Sequence, residues 1–254
     1  MPISGWAESR RSAGYAGLTI SPSCRWERSN SKLSHQGWNP VIKQQMKLKS
    51  KPPTDERKAE VREEMTAWAK ERLADPNTLI LDLETTGILS QDPDTEIVQV
   101  SLINIAGRPI ISMLVNPNRP IPLVVQQIHG IDDRMVIGLP KFPVVGPMVA
   151  ALMRGKHVVA YNAGFDIHTL VYLLGKYNLD IPEFDTSCAM EAYSAWCGEW
   201  SVQKEDWKWQ KLPKLAYGNS HDSLVDCMST LLLLKKMAGD FSDEPATDAL
   251  DLDF

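Results

Sequence analysis

The chain has 254 residues and only four cysteines, Cys24, Cys188, Cys197 and Cys227, none of which stand as C-x-x-C or at a zinc-finger spacing. That excludes a disulfide scaffold and a cysteine-built metal site, and the thiols read as reduced in a cytoplasmic protein. No apolar run approaches the roughly 20 residues needed to cross a bilayer, and the start of the chain lacks the apolar core of a secretory signal. These absences predict a cytoplasmic protein with no membrane association. Positive charge is missing from residues 240–254, which hold six acids and neither Lys nor Arg and read as an acidic, flexible tail. The start is the reverse. Residues 1–51 carry nine Lys or Arg against two acids, +7, and lack helical or strand periodicity over 1–36, which predicts a basic, largely disordered arm. The rest of the chain stands at −12, giving −5 overall. An acidic body does not exclude a nucleic-acid substrate, because acids that hold metal ions reverse the local field, and the arm offers phosphate contacts.

Between these ends the pattern is ordered. Residues 52–76 predict an amphipathic helix with Val61, Met65, Trp68 and Leu73 as its stripe, set between Pro52-Pro53 and Pro76 and packed on the domain that follows. That domain, 77–239, alternates apolar runs and helical patterns. Strands are expected at 79–83, 97–105, 110–115, 157–161 and 184–187, and helices near 121–128, 143–153 and 166–177. A closing helix is expected to turn Leu224, Met228, Leu231, Leu232 and Met237 inward. Strands followed by helices on both sides predict an α/β sandwich.

Two carboxylates interrupt the first strand. Asp82 and Glu84 lie in Leu79-Ile80-Leu81-Asp82-Leu83-Glu84-Thr85-Thr86-Gly87, two apart and therefore on one face. Burying an unpaired carboxylate costs several kcal/mol, so a side-by-side pair needs a cation. A lone D-x-E is more often an edge strand with its acids in water, and two further motifs change that balance. Tyr161-Asn162-Ala163-Gly164-Phe165-Asp166 sets an acid just beyond a buried strand at a helix start, and His221-Asp222-Ser223-Leu224-Val225-Asp226 sets a histidine and an acid across another. Taken singly, Asp166 reads as a helix cap and His221 as a surface residue.

The order and context of these motifs resemble the DnaQ-like (DEDDh) 3′→5′ exonucleases, the family that includes the proofreading epsilon subunit of bacterial DNA polymerase III. The resemblance covers about residues 77–238, includes Ile128-His129-Gly130-Ile131-Asp132-Asp133, and fits the H-x4-D form because position 222 is Asp rather than Tyr. It implies an RNase H-like fold with a central mixed five-stranded sheet flanked by helices. It further implies that Asp82, Glu84, Asp166 and Asp226 hold two Mg²⁺ or Mn²⁺ ions around a scissile phosphate, with Asp82 bridging and His221 as general base. Thr85, Thr86, His129, Asn162 and Phe165 would bind the terminal nucleotide. The substrate implied is a single-stranded or frayed 3′ end of DNA, released as nucleoside 5′-monophosphates. An exoribonuclease and a non-catalytic nucleic-acid-binding or replisome-adaptor module are the rival readings.

Two segments lie outside these motifs. In 187–220, Tyr193, Trp196 and Trp200 read as a helical stripe on the core, whereas Trp207 and Trp209 alternate with Lys204, Lys208, Lys211 and Lys214 as single-strand channels do. The final Ala249-Leu250-Asp251-Leu252-Asp253-Phe254 resembles a sliding-clamp-binding motif with Ala in place of Gln, which adds a clamp or polymerase to the expected partners.

Overall fold

The computed structural model describes residues 52–216, 218 and 221–240. The basic arm and the clamp-like final six residues lie outside them. β1 (Thr78–Thr85) forms the middle of the sheet and is buried along nearly its whole length. Such a strand needs cover on both faces, which explains its near-continuous Leu/Ile run.

β2 (Ile97–Asn104) and β3 (Pro109–Leu114) extend the sheet antiparallel on one side of β1, and β4 (His157–Ala160) and β5 (Asp185–Cys188) extend it parallel on the other. The order β3-β2-β1-β4-β5 is the mixed five-stranded sheet expected from the sequence. The β2–β3 turn is set by Asn104, whose side chain accepts from the Ala106 and Arg108 N–H groups at 3.0 Å, and by Gly107 at φ 78°.

α1 (Asp55–Ala74), α2 (Leu123–His129), α3 (Asp133–Val136), α4 (Phe142–Met153), α5 (Ala163–Lys176), α6 (Ala189–Cys197) and α7 (Ser223–Ala238) complete the main layers. α5 packs on α4 and on β1, β4 and β5, α7 crosses β1, β2 and β3, and α1 covers α6 and α7. A two-stranded hairpin, β6 (Trp200–Ser201) with β7 (Asp206–Trp207), stands apart from the main sheet.

Two sequence expectations change. The buried positions of α7 include Ser223, Cys227, Thr230, Leu231, Leu234 and Met237, whereas Leu224, Met228 and Leu232 are only partly buried. α7 is covered by α1 as well as by the sheet, so small polar residues fit where the backbones approach: Ser223 Oγ lies 2.7 Å from Ser101 Oγ, and the Cys227 thiol donates to Ile80 O at 3.5 Å. Trp200 leaves the expected helical stripe because Gly198, at φ 74°, ends α6; Tyr193 and Trp196 stay stacked on each other at 6.1 Å.

At the end of the sheet where β1 begins, buried Arg72 ties α1 to the core. Its Nη1 donates to His157 Nδ1 at 2.6 Å, so the imidazole carries its proton on Nε2, which donates to Ser187 Oγ at 2.7 Å. Burial and then the Arg72 charge hold the His157 pKa below 6.5. A histidine with a lowered folded pKa contributes stability that is complete above its unfolded value and is lost as pH falls below it. We expect Arg72→Ala to lower unfolding free energy by about 1–3 kcal/mol in urea titrations at neutral pH, because it leaves a part-buried imidazole nitrogen unpaired. An unchanged midpoint would remove this clasp from the account of the fold.

Candidate active site

The β1–β4 pairing stops at Leu81↔Ala160, whereas β1 stays paired with β2 as far as Thr85↔Ile97. The last residues of β1 therefore project past the end of β4, and the Leu83 N–H loses a strand partner. Asp166, in the first turn of α5, supplies one: its Oδ1 accepts from Leu83 N at 3.2 Å. Asp82 and Glu84 sit opposite Ser101 and Gln99 of β2, the two residues that contact the start of α7, since Gln99 Oε1 accepts from Ser223 N at 3.1 Å. The pair thus faces the helix that carries Asp226.

His221 precedes that helix with φ 67°, a left-handed conformation uncommon for a residue with a side chain. Its N–H donates to Asp226 Oδ2 at 3.2 Å, and ligand atoms of Glu84, His221 and Asp226 lie within 4.8 Å of one another. Asp222 caps α7, accepting from Leu224 N at 2.9 Å and Val225 N at 3.3 Å.

The electrostatics bind the four acids into one group. Burial first, then repulsion from Asp166, Glu84, Asp226 and Asp222, raises Asp82 well above the usual carboxylate range. Glu84 is pushed up to about 8 by burial and then by Asp226, Asp166 and Asp222. Asp166 reaches about 8, raised by burial against the pull of the Leu83 and its own N–H groups. Asp226 is raised by burial, opposed by the His221 N–H and charge and by Lys214. Among the described residues no cationic side chain offsets Asp82, Glu84 or Asp166. A set of oxygen donors with raised pKa and no counter-charge among the described residues fits a hard divalent cation, which would reverse these shifts.

The remaining expected residues take different places. Thr85 Oγ1 donates to Gly87 O at 2.6 Å, and Thr86 Oγ1 accepts from Glu96 N at 2.9 Å, so both hydroxyls are engaged in shaping the end of β1. His129 Nδ1 accepts from Ile131 N at 3.0 Å, which leaves the proton on Nε2, a buried donor without a completed hydrogen bond among the described residues. Its pKa is lowered by burial, against the Thr85 backbone and with the His221 charge, so His129 adjoins both ends of the site. Asn162 is exposed at the head of α5, where its carbonyl accepts from Phe165 N at 2.8 Å and Asp166 N at 3.1 Å, and Phe165 is half-buried. Asp222 and Lys214 act on the acids without having been singled out for that role. Asp222 was legible as a cap from Asp-Ser-Leu before an apolar helix.

Residues 79–234 match the RNase_T family, described as Exonuclease. An uncharacterized exonuclease, CP81, of Escherichia phage 186 is 34% identical over 183 residues, 67% of this chain and 92% of the phage protein. A DNA polymerase III subunit epsilon-like protein of Rhodobacter capsulatus is 39% identical over 116 residues, 42% of this chain but 16% of that protein. The nuclease domain of 3′hExo, a DEDDh family member, aligns with TM-score 0.50 at 20% identity, over 64% of this chain and 92% of that one, a likeness of fold. The family match runs from the strand of Asp82 to the helix of Asp226, and the phage exonuclease is matched over nearly its full length: this chain belongs to the RNase_T exonuclease family.

Proposed function

We propose that the protein is a metal-dependent 3′→5′ exonuclease that removes nucleoside 5′-monophosphates from single-stranded or frayed 3′ ends of DNA in the cytoplasm. The observation that carries this reading is the convergence of Asp82, Glu84, Asp166 and Asp226 from β1, α5 and α7 beside His221. Folding buries these acids against their own repulsion, which favours a role in which cations and a phosphate complete the site.

Two Mg²⁺ or Mn²⁺ ions, when bound, would offset the charge on the scissile phosphate and the departing 3′ oxygen. Asp82, Glu84, Asp166 and Asp226 would hold them. His221 is exposed at the rim, where its imidazole takes the proton of the attacking water. The His221–Asp226 hydrogen bond fixes the loop that presents it. His129 Nε2–H is a donor for the terminal nucleotide, and the backbone of Thr85 and Thr86, pinned by their own hydroxyls, forms the floor beneath it. Asn162 and Phe165 border the same end of the sheet. No helix among the described residues is long and apolar enough to cross a membrane. A polymerase or sliding clamp is the expected protein partner, the latter through residues 249–254.

Incubation of the protein with 5′-labelled single strands of DNA and RNA tests the reading. We expect stepwise shortening from the 3′ end, DNA faster than RNA, with all cleavage lost in EDTA. Internal fragments, or shortening that persists in EDTA, would overturn the mechanism, and faster cleavage of RNA would assign the exoribonuclease alternative.

A further inference from the structure

We propose that the β6–β7 hairpin and the segment 208–216 form a track for the unpaired strand leading into the active site, with Trp209 as a base-stacking platform. This rests on the exonuclease reading and adds the element that would select single-stranded substrate.

Trp209 is 57% exposed, and Lys204 Nζ stands 4.3 Å from its ring centroid. Its neighbours make it a fixed platform. Trp200 and Trp207 meet edge-on at 5.5 Å across the hairpin, and Lys208 N donates to Glu199 O at 2.8 Å, extending the pairing by one residue. Immediately after Trp209 the backbone is pinned to the core: Gln210 O accepts from Tyr161 OH at 2.9 Å, and Gln210 N donates to Ser194 Oγ at 3.1 Å. Leu212 and Leu215 pack against the core, and Ala216 N donates to Ser229 Oγ of α7 at 3.3 Å. With the leucines inward, Lys211 and Lys214 are exposed.

The position of this segment selects its occupant. Tyr161 directly follows β4, one residue before Asn162 and five before Asp166, and Lys214 acts electrostatically on Asp226. The row Trp209, Lys211, Lys214 therefore runs toward the catalytic acids. After Asp206 the segment carries Lys208, paired with Glu199 at 2.9 Å, then the exposed Lys211 and Lys214, and no acid up to Ala216, although the protein as a whole is acidic. An exposed indole on a pinned backbone, followed by spaced ammonium groups, matches what an unpaired polynucleotide offers: base faces to stack and phosphates to neutralise. A duplex keeps its base faces stacked on one another and gains little from Trp209.

The test uses the full chain in EDTA, with fluorescence anisotropy of a labelled oligothymidylate and of a blunt duplex of the same length. Trp209→Ala is expected to weaken oligothymidylate binding about fivefold or more, whereas Trp209→Phe retains it to within about twofold. Duplex binding should be unchanged in both. Lys211→Ala should reduce the slope of log affinity against log salt by about 0.7, the value for one phosphate contact on a single strand. With Mg²⁺ restored, hydrolysis of the nitrophenyl ester of thymidine 5′-monophosphate should be equal in wild type and Trp209→Ala, since that substrate has no strand to reach the track. If the ester and the oligonucleotide are both cleaved and Trp209→Ala binds like wild type, or loses single strand and duplex equally, the track is refuted while the exonuclease reading stands. If neither is cleaved by wild type, it is the exonuclease reading that fails.

Discussion

Asp82→Asn is expected to reduce turnover on a single-stranded 3′ end by on the order of a thousandfold or more while leaving the metal-free fold at least as stable as wild type. The two halves of this result have one cause. Burial first, and then repulsion from Asp166, Glu84, Asp226 and Asp222, disfavours a charged Asp82. Asparagine keeps nearly the same shape, removes the ionisable group that burial and the other acids disfavour, and removes a carboxylate that would help hold the ions. A residue kept for folding would lose stability on substitution, whereas one kept for chemistry against the interest of the fold gains or holds it. Rates on a 5′-labelled strand, paired with thermal melts in EDTA, give both readings. Retention of more than about a tenth of the activity, or a melt lowered in step with activity, would remove Asp82 from the centre of the mechanism.

The sequence made the four acids of the candidate site legible because their cost is visible locally. Charged residues at 82 and 84 break a run that otherwise belongs to a strand buried on both faces, and the sheet does bury that run. Asp166 and Asp226 were readable as the first turns of helices, and α5 and α7 begin just before them. What escaped depends on long-range placement. The inner face expected of α7 holds at Leu231 and Met237 and, from partly buried positions, at Leu224 and Met228, but periodicity reports only that a helix has an apolar side. It does not report that α1 would cover a second side and let Ser223 and Cys227 take the closest approach to the sheet. Aromatic spacing carries the expected stripe on to Trp200, whereas Gly198 is the stop signal that ends the helix. The left-handed backbone of His221 leaves no mark in its residue type, and the reach of Asp166 around the end of β4 to the Leu83 N–H follows from strand lengths that differ on the two sides of β1.

Without metal, the protein should lose stability as pH rises from about 6.5 to about 8, by on the order of 3 kcal/mol, and Mg²⁺ should restore most of that loss. Glu84 and Asp166 titrate in the fold at about 8, far above their ordinary values of 4.5 and 3.8. A carboxyl raised in this way binds more protons folded than unfolded. Its contribution is therefore complete below the unfolded value and is lost as pH climbs through the folded one. His129, His157 and His168, all lowered, have the opposite slope, taking stability away as pH falls below 6.5. The two trends offset each other at mildly acid pH and leave the carboxylate loss exposed above it. The acids share their repulsion, so the combined effect is smaller than the sum of the separate shifts. A ligand that binds only the folded state adds stability that grows with its affinity, and cation affinity grows as the acids deprotonate, so the Mg²⁺ gain should be larger at about pH 8 than at about pH 6. Urea titrations across this range, in EDTA and in Mg²⁺, measure both slopes, and Glu84→Gln should flatten the EDTA curve. If stability in EDTA instead rises with pH, or Mg²⁺ helps equally at both ends, the four acids do not act as one uncompensated cluster.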